Sequence, residues 1–308
     1  MPTATLPDQH WIDDVGPVPG LRIRSWDLTS PLAHPEDVGV VVQPYFTAAD
    51  RLRQLAGLPD LQAVQLLTAG YDSAVPYLPA GVRLANAAGV HDASTAEHAV
   101  ALTLAALRGI PAFVQAQQRS EWLPLRIRPS LADRRVLIVG YGQIGQAIAA
   151  RLAPFEVDLT AVASRARQGD DLVGPIAGID ELPSLLPHYD VVILIVPLTE
   201  ATTGLVDDAF LAAMPDGALL VNVARGGVVD TDALVRATSS GRIQAALDVT
   251  DPEPLRSEHP LWRAPGVLIS PHVGGATSAF RPRAIRLLRA QLRRYAAGEP
   301  LANVVATG

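Results

Sequence analysis

The stretch "VLIVGYGQIGQAIAARL" runs from Val136 to Leu152, and "LTAVASRAR" follows it at 159–167. Four β-branched or apolar residues, Val136–Val139, predict a strand. Gly140, Gly142 and Gly145 then make a G-x-G-x-x-G turn, and the residues after it carry apolar side chains at helical spacing. Such a turn has a physical logic. The first glycine permits the tight bend, the second lets a pyrophosphate approach the backbone, and the third allows close helix–strand packing. The helix N-terminus then faces the anion with unpaired N–H groups. A lone glycine pattern is weak, but a strand before it and a helix after it point to a dinucleotide-binding unit.

The next strand reads on the choice of dinucleotide. An acid at its end would bond the adenosine ribose hydroxyls and repel a 2′-phosphate. This chain has Ser164 there, followed by Arg165 and Arg167. A hydroxyl and two cations suit a phosphate. The expectation is therefore NADP(H) in preference to NAD(H), with NAD(H) still possible.

The pattern extends in both directions. Strands are predicted at 21–26, 38–43, 61–67 and 82–87, and again at 135–140, 159–164, 191–196, 218–223, 245–249 and 267–270. Helices are predicted from Thr47 to near Gly57, from about Ser94 with Ser94, Thr95 and Glu97 as its cap, and at 143–153, 207–213 and 230–240. An amphipathic helix, "AIRLLRAQLRRYAAG", stops at Gly298. Strands alternating with helices predict parallel sheets with crossovers. The segment 115–132 is polar with Trp and Pro and reads as a connector or arm. The helix before it is apolar on most of its surface and reads as buried between two units.

Composition narrows the function. The chain has 308 residues, 49% hydrophobic and 18% charged, enough for about two domains. Its net charge of −6 and lack of a basic run argue against nucleic acid as a partner. With no Cys there is no thiolate chemistry, no disulfide and no Cys-ligated metal, and no metal site is expected. All 25 basic residues are Arg, which removes Schiff-base chemistry. The N-terminus lacks the features of a signal peptide, and the run "VVILIVPL" at 191–198 is too short to span a bilayer. The expectation is a soluble, cytoplasmic protein with no membrane partner.

Three stretches after the glycine turn carry candidate chemistry. "NVARGGVVD" holds Arg225, "ALDVTDPEPL" holds Asp248 and Glu253, and "LISPHVGGAT" holds His272. Each follows a predicted strand, and the carboxyl ends of strands in a doubly wound sheet converge on one crevice. Reducing a 2-keto acid needs a cation for the substrate carboxylate and a proton donor for the carbonyl oxygen. Arginine and histidine suit those tasks, and a carboxylate beside the imidazole raises its pKa.

With "TAGYD" at 68–72, "NAAGVH" at 86–91, "TAEHAVALTLA" at 95–105 and "HPLW" at 259–262, these motifs make the chain resemble the D-isomer-specific 2-hydroxyacid dehydrogenases over nearly its whole length. The resemblance implies two doubly wound α/β domains. A flavodoxin-like substrate domain would take 1–91 and 275–308, and a Rossmann cofactor domain 92–274. It implies Arg225, Glu253 and His272 as catalytic residues, with Arg225, His272 and Ala69, Gly70 and Tyr71 at the substrate. Gly140, Gly142, Gln143, Ile144, Gly145, Ser164, Arg165, Arg167, Val196, Pro197, Val223, Ala224, Asp248, Gly274 and Gly275 would line the cofactor, Asp248 near the nicotinamide carboxamide. It further implies a homodimer whose contacts involve 95–130, including Trp122.

Formate dehydrogenases of the same superfamily pair their histidine with Gln, so Glu253 favours hydroxyacid chemistry. The Ser164-Arg165 ending resembles the NADPH-using glyoxylate/hydroxypyruvate reductases. Two alternatives stay open: an NAD-linked D-2-hydroxyacid or phosphoglycerate-type dehydrogenase, or a dinucleotide-sensing, corepressor-like binding module without turnover. Arg281 and Arg283 receive no assignment.

Overall fold

The computed structural model describes all 308 residues. The chain forms two compact units, Met1–His91 with Ser278–Gly308 and Asp92–Thr277.

The first unit is a six-stranded sheet. From one edge its strands are Val304–Thr307, Arg83–Ala85, Ala63–Gln65, Val38–Val42, Thr3–Leu6 and Arg22–Ser25. All neighbouring pairs are parallel except Val304–Thr307 against Arg83–Ala85. Leaving out that antiparallel edge, the order is the 2-1-3-4-5 of a flavodoxin-like sheet. Two of these strands escape a sequence reading. Thr3–Leu6 has only four residues, all buried, and Val304–Thr307 lies beyond the last helix.

The predicted helix after Thr47 is instead a 3-10 segment, Ala49–Gly57, with no side-chain cap. The helix Gln9–Val15 was also missed; Asp8 caps it by accepting from the Trp11 amide. The C-terminal helix Phe280–Ala296 buries Ala284, Leu288 and Leu292 against Val40, Val42 and Leu67. Near its C-terminal end Gln291, itself buried, donates to Gln65 Oε1 at 2.7 Å and to the Ala302 carbonyl at 2.9 Å. Arg281 is bound to Asp14 at 2.7 Å and lies over the Trp11 ring. It is thus a packing element of the first unit.

The second unit is an all-parallel seven-stranded sheet. The order is Val267–Ile269, Gln244–Leu247, Leu219–Asn222, Val191–Leu194, Arg135–Val139, Asp158–Ala163 and Ala177–Gly178. Its central strands are buried on both faces, which is why they read as unbroken apolar runs. Two cores flank it, one holding Phe210, Met214 and Leu234, the other Ile148, Leu152 and Ala99.

The helix Asp92–Arg108 belongs to the second core. It begins two residues before Ser94, so Ser94 and Thr95 lie inside its first turn and do not cap it. Ser94 Oγ meets Thr277 Oγ1 at 2.7 Å instead. A second helix, Ile110–Gln118, follows through Gly109 in the left-handed region and was not foreseen. Asp207 and Asp230 cap Asp208–Ala213 and Thr231–Ser239 by accepting the Phe210 and Ala233 amides. No single helix is long and apolar enough to cross a membrane.

Candidate active site

In the second unit the strand order reverses between Arg135–Val139 and Val191–Leu194. Ligands of open parallel sheets bind outside the carboxyl ends of the strands at such a point. Gly140–Gly145 leaves the first of these strands, and Val196 and Pro197 leave the second.

The three turn glycines differ in what they protect. Gly140 has φ +110, and a Cβ there would lie 2.4 Å from the Ile195 carbonyl oxygen. A Cβ on Gly145 would lie 2.1 Å from the Gly140 carbonyl oxygen. Both are required by the protein's own packing. Gly142 is the exception: no protein atom lies within 4 Å of its would-be Cβ. Space kept open beside the N-terminus of helix Gln143–Leu152 fits a phosphate group approaching the backbone. The turn therefore suits a dinucleotide, with Gln143 and Ile144 in the first helical turn.

Ser164 and Arg165 lie just past strand Asp158–Ala163, both exposed. Arg165 makes no hydrogen bond or ion pair with the rest of the chain. Arg167 is engaged: its Nη2 donates to the Tyr141 carbonyl at 2.5 Å.

Arg225 follows strand Leu219–Asn222, with Val223 and Ala224 buried ahead of it. Asn222 shapes this bend, since Oδ1 accepts the Ala224 amide and Nδ2 donates to the Arg225 carbonyl. Gly226 lets the chain pass close to Thr250, whose carbonyl oxygen a Cβ would approach to 2.0 Å.

His272 Nδ1 and Glu253 Oε1 are 2.6 Å apart, both side chains about half exposed. With Nδ1–H donating to the carboxylate, Nε2 is the nitrogen left to hold or give a proton. That hydrogen bond is the chief reason the imidazole pKa lies above its ordinary value; burial and the Arg225 charge act against it, and the Asp248 charge assists. Arg225, Glu253, Asp248 and His272 therefore all act on one electrostatic neighbourhood.

Asp248 is buried and its two oxygens collect four donors. His98 Nε2 donates at 3.1 Å, Ser270 Oγ at 2.6 Å, and the amides of Val273 and Gly274 at 2.9 Å each. Burial by itself would raise its pKa, but these bonds win and hold it at about 2. His272 N also donates to the Asp248 carbonyl. The histidine loop is thus hung on one aspartate, and His272 takes the left-handed φ of 54 that this requires. Gly274 belongs to the same fit, because a Cβ there would lie 2.9 Å from Asp248 Oδ2. His98 and Ser270 were missed by sequence reasoning, although both stand in the motifs "TAEHAV" and "LISPH". Nothing in their spacing announces that residues 98, 248 and 270 meet.

Ala69, Gly70 and Tyr71 lie in the first unit, in a turn after strand Ala63–Gln65. Thr68 Oγ1 donates to the Gly70 carbonyl and Asn86 Nδ2 to the Ala69 carbonyl, both at 2.7 Å. The turn is therefore held by its own unit.

Residues 100–274 match the family model of the D-isomer specific 2-hydroxyacid dehydrogenase NAD-binding domain. The chain belongs to that family. Human glyoxylate reductase/hydroxypyruvate reductase is 36% identical over 226 residues, covering 72% of this chain and 69% of the relative. A D-isomer specific 2-hydroxyacid dehydrogenase from Xanthobacter autotrophicus Py2, solved with NADPH and MES, superposes with TM-score 0.84 at 31% identity. The match covers 99% of this chain and 98% of that one. An NADPH-dependent glyoxylate/hydroxypyruvate reductase from Sinorhizobium meliloti, solved with NADP and sulfate, gives 0.81 at 26% identity, covering 99% and 98%. As a D-2-hydroxyacid dehydrogenase, the chain is an oxidoreductase that acts on small 2-hydroxy or 2-keto acids with a nicotinamide dinucleotide.

Proposed function

We propose that this dehydrogenase is an NADPH-dependent reductase of small 2-keto acids, with glyoxylate and hydroxypyruvate as its first substrates. The observation that carries the cofactor choice is the end of strand Asp158–Ala163. An exposed serine and an unengaged arginine stand where an acid would select NAD(H). The two NADP(H)-bound relatives and the human reductase support the same reading.

Gly140–Gly145 would hold the pyrophosphate, Ser164 and Arg165 the 2′-phosphate, and the loops at Val196–Pro197, Val223–Ala224 and Gly274–Gly275 the nicotinamide end. When bound, the cofactor supplies the hydride. Arg225 binds the substrate carboxylate and orients the carbonyl. His272 delivers a proton from Nε2 to the carbonyl oxygen. Glu253 keeps the imidazole charged and aligned through Nδ1, and Asp248 fixes the loop that presents it.

His272→Ala and Arg225→Ala should each lower kcat by orders of magnitude while dinucleotide affinity changes little. The assay is consumption of NADPH and NADH, side by side, against a panel of 2-keto acids. A higher kcat/KM with NADH would replace the cofactor choice. Full activity in either variant would refute the role given to that residue. Tight dinucleotide binding with no turnover on any keto acid would favour the sensing module.

A homodimer belongs to the same proposal. The arm after helix Ile110–Gln118 has no regular structure and holds Trp122, Leu125 and Ile127 in full exposure. Phe113 and Val114 on that helix are also exposed. A hollow of about 890 Å³ opens between arm and helix. Apolar side chains gathered this way fit a protein partner, and a second copy is the one the family resemblance implies.

A further inference from the structure

Tyr141 is the residue between the first two glycines of the turn, a place where a side chain need contribute nothing to dinucleotide binding. Here it is buried, packed with Val173, Ile176 and Ile148. Its hydroxyl reaches out of that core and meets both carboxylate oxygens of Asp170, at 3.0 and 2.9 Å. Asp170 sits near the tip of a small hairpin that begins directly after Ser164. Arg167 and Ile176 exchange both backbone hydrogen bonds, and the Asp170 amide donates to the Val173 carbonyl. The Asp170 carboxylate also accepts the amides of Leu172 and Val173. Gly169 permits the closure, since a Cβ there would lie 1.8 Å from the Gly174 carbonyl oxygen.

Two links therefore join this hairpin to the glycine turn. Tyr141 Oη donates to Asp170, and Arg167 Nη2 donates back to the Tyr141 carbonyl. Between the links and strand Asp158–Ala163 lies Arg165, exposed and without a partner. We propose that Tyr141 is a positioning residue for cofactor selection: its hydroxyl holds the 165–176 hairpin so that Arg165 meets the 2′-phosphate, and it keeps the Asp170 carboxylate occupied. The second effect is electrostatic. A carboxylate released from the phenol a few residues from Arg165 would compete with the phosphate for the guanidinium. The first is entropic, because an arginine on a fixed hairpin loses less freedom when it binds. The low acidity of the phenol and the raised acidity of the carboxyl agree with a proton held firmly on Tyr141 and an ionised Asp170.

The proposal rests on the NADPH reading above, and the test separates the two. Adenosine 2′,5′-bisphosphate and 5′-AMP differ only in the 2′-phosphate, and calorimetric titration of each measures that group's contribution without turnover. Wild type should bind the bisphosphate more tightly. Tyr141→Phe, which keeps the buried ring, should weaken the bisphosphate about tenfold and change 5′-AMP less than about twofold, the loss of one charge-assisted hydrogen bond's worth of order. In an Arg165→Ala background the same substitution should have no further effect on the ratio. Hydrogen exchange should rise over 165–176 alone, which also shows that the variant is folded.

If wild type binds both ligands equally, the NADPH reading falls and takes this proposal with it. If wild type discriminates and Tyr141→Phe discriminates equally, the cofactor reading stands and the positioning role is overturned. An equal loss with and without Arg165, or an equal loss for both ligands, would mean a merely structural role and overturns it as well.

Discussion

Glu253 acts on His272 through one contact, and a pH dependence follows from it. Reduction consumes the imidazolium, so kcat/KM should hold at low pH and fall as pH rises through the His272 pKa, which lies above the ordinary histidine value. Glu253→Gln keeps a hydrogen-bond acceptor but removes the charge, and should move that limb to lower pH. A limb that stays in place would show that another group titrates. Asp248 gives a second sign. Its pKa is depressed from 3.8 to about 2, so its contribution to stability is present above the unfolded value and disappears as pH falls toward 2. The contribution is on the order of 2 kcal/mol. Asp248→Asn should lose about that much at neutral pH, together with most activity, and should show a flatter denaturation midpoint between about pH 4 and pH 2.

Among elements, the glycine turn and the arginine bend answer differently to the same substitution. Gly142→Ala adds a methyl group to space that no protein atom occupies. It should leave the melting temperature nearly unchanged while dinucleotide affinity falls by tenfold or more, roughly the cost of displacing a phosphate contact. Gly226→Ala drives a methyl into the Thr250 carbonyl. That clash with backbone should destabilise the second unit by about 1–3 kcal/mol and reduce kcat through Arg225. Equal melting temperatures for the two variants would contradict this division. The helices show a similar contrast. The helix starts at 207 and 230 were legible from the pattern alone, and Asp207 and Asp230 cap them within four residues. Ser94 looked like a cap too, but the helix could begin earlier, and its hydroxyl found Thr277 instead.

At the scale of the molecule, the arm is the element that its own chain does not cover. Leu125→Asp with Ile127→Asp should convert a dimer to a monomer in sedimentation velocity, with each unit still folded by circular dichroism. A wild-type protein that sediments as a monomer would remove the basis for the second copy. The two sheets differ in how much of them could be read. The second is buried on both faces, so nearly every strand announces itself as an apolar run. In the first, Thr3–Leu6 is a four-residue strand with two threonines, and Val304–Thr307 joins antiparallel from the far end of the chain. Neither carries a local signal strong enough to stand without its neighbours.

The sequence by itself determined the parallel α/β class, the glycine turn and the missing acid after the second strand, and it singled out Arg225, Glu253 and His272 as candidates just past predicted strands. These are local: each depends on a few consecutive residues and on the rule that strand ends gather function. Tertiary structure alone decided that His98 and Ser270 hold Asp248, that Arg281 is spent on Asp14, and that Tyr141 reaches Asp170. Those partners lie 22 to 267 residues apart. A side chain's partner at that separation is fixed by how sheets and helices pack, which no short window of sequence contains.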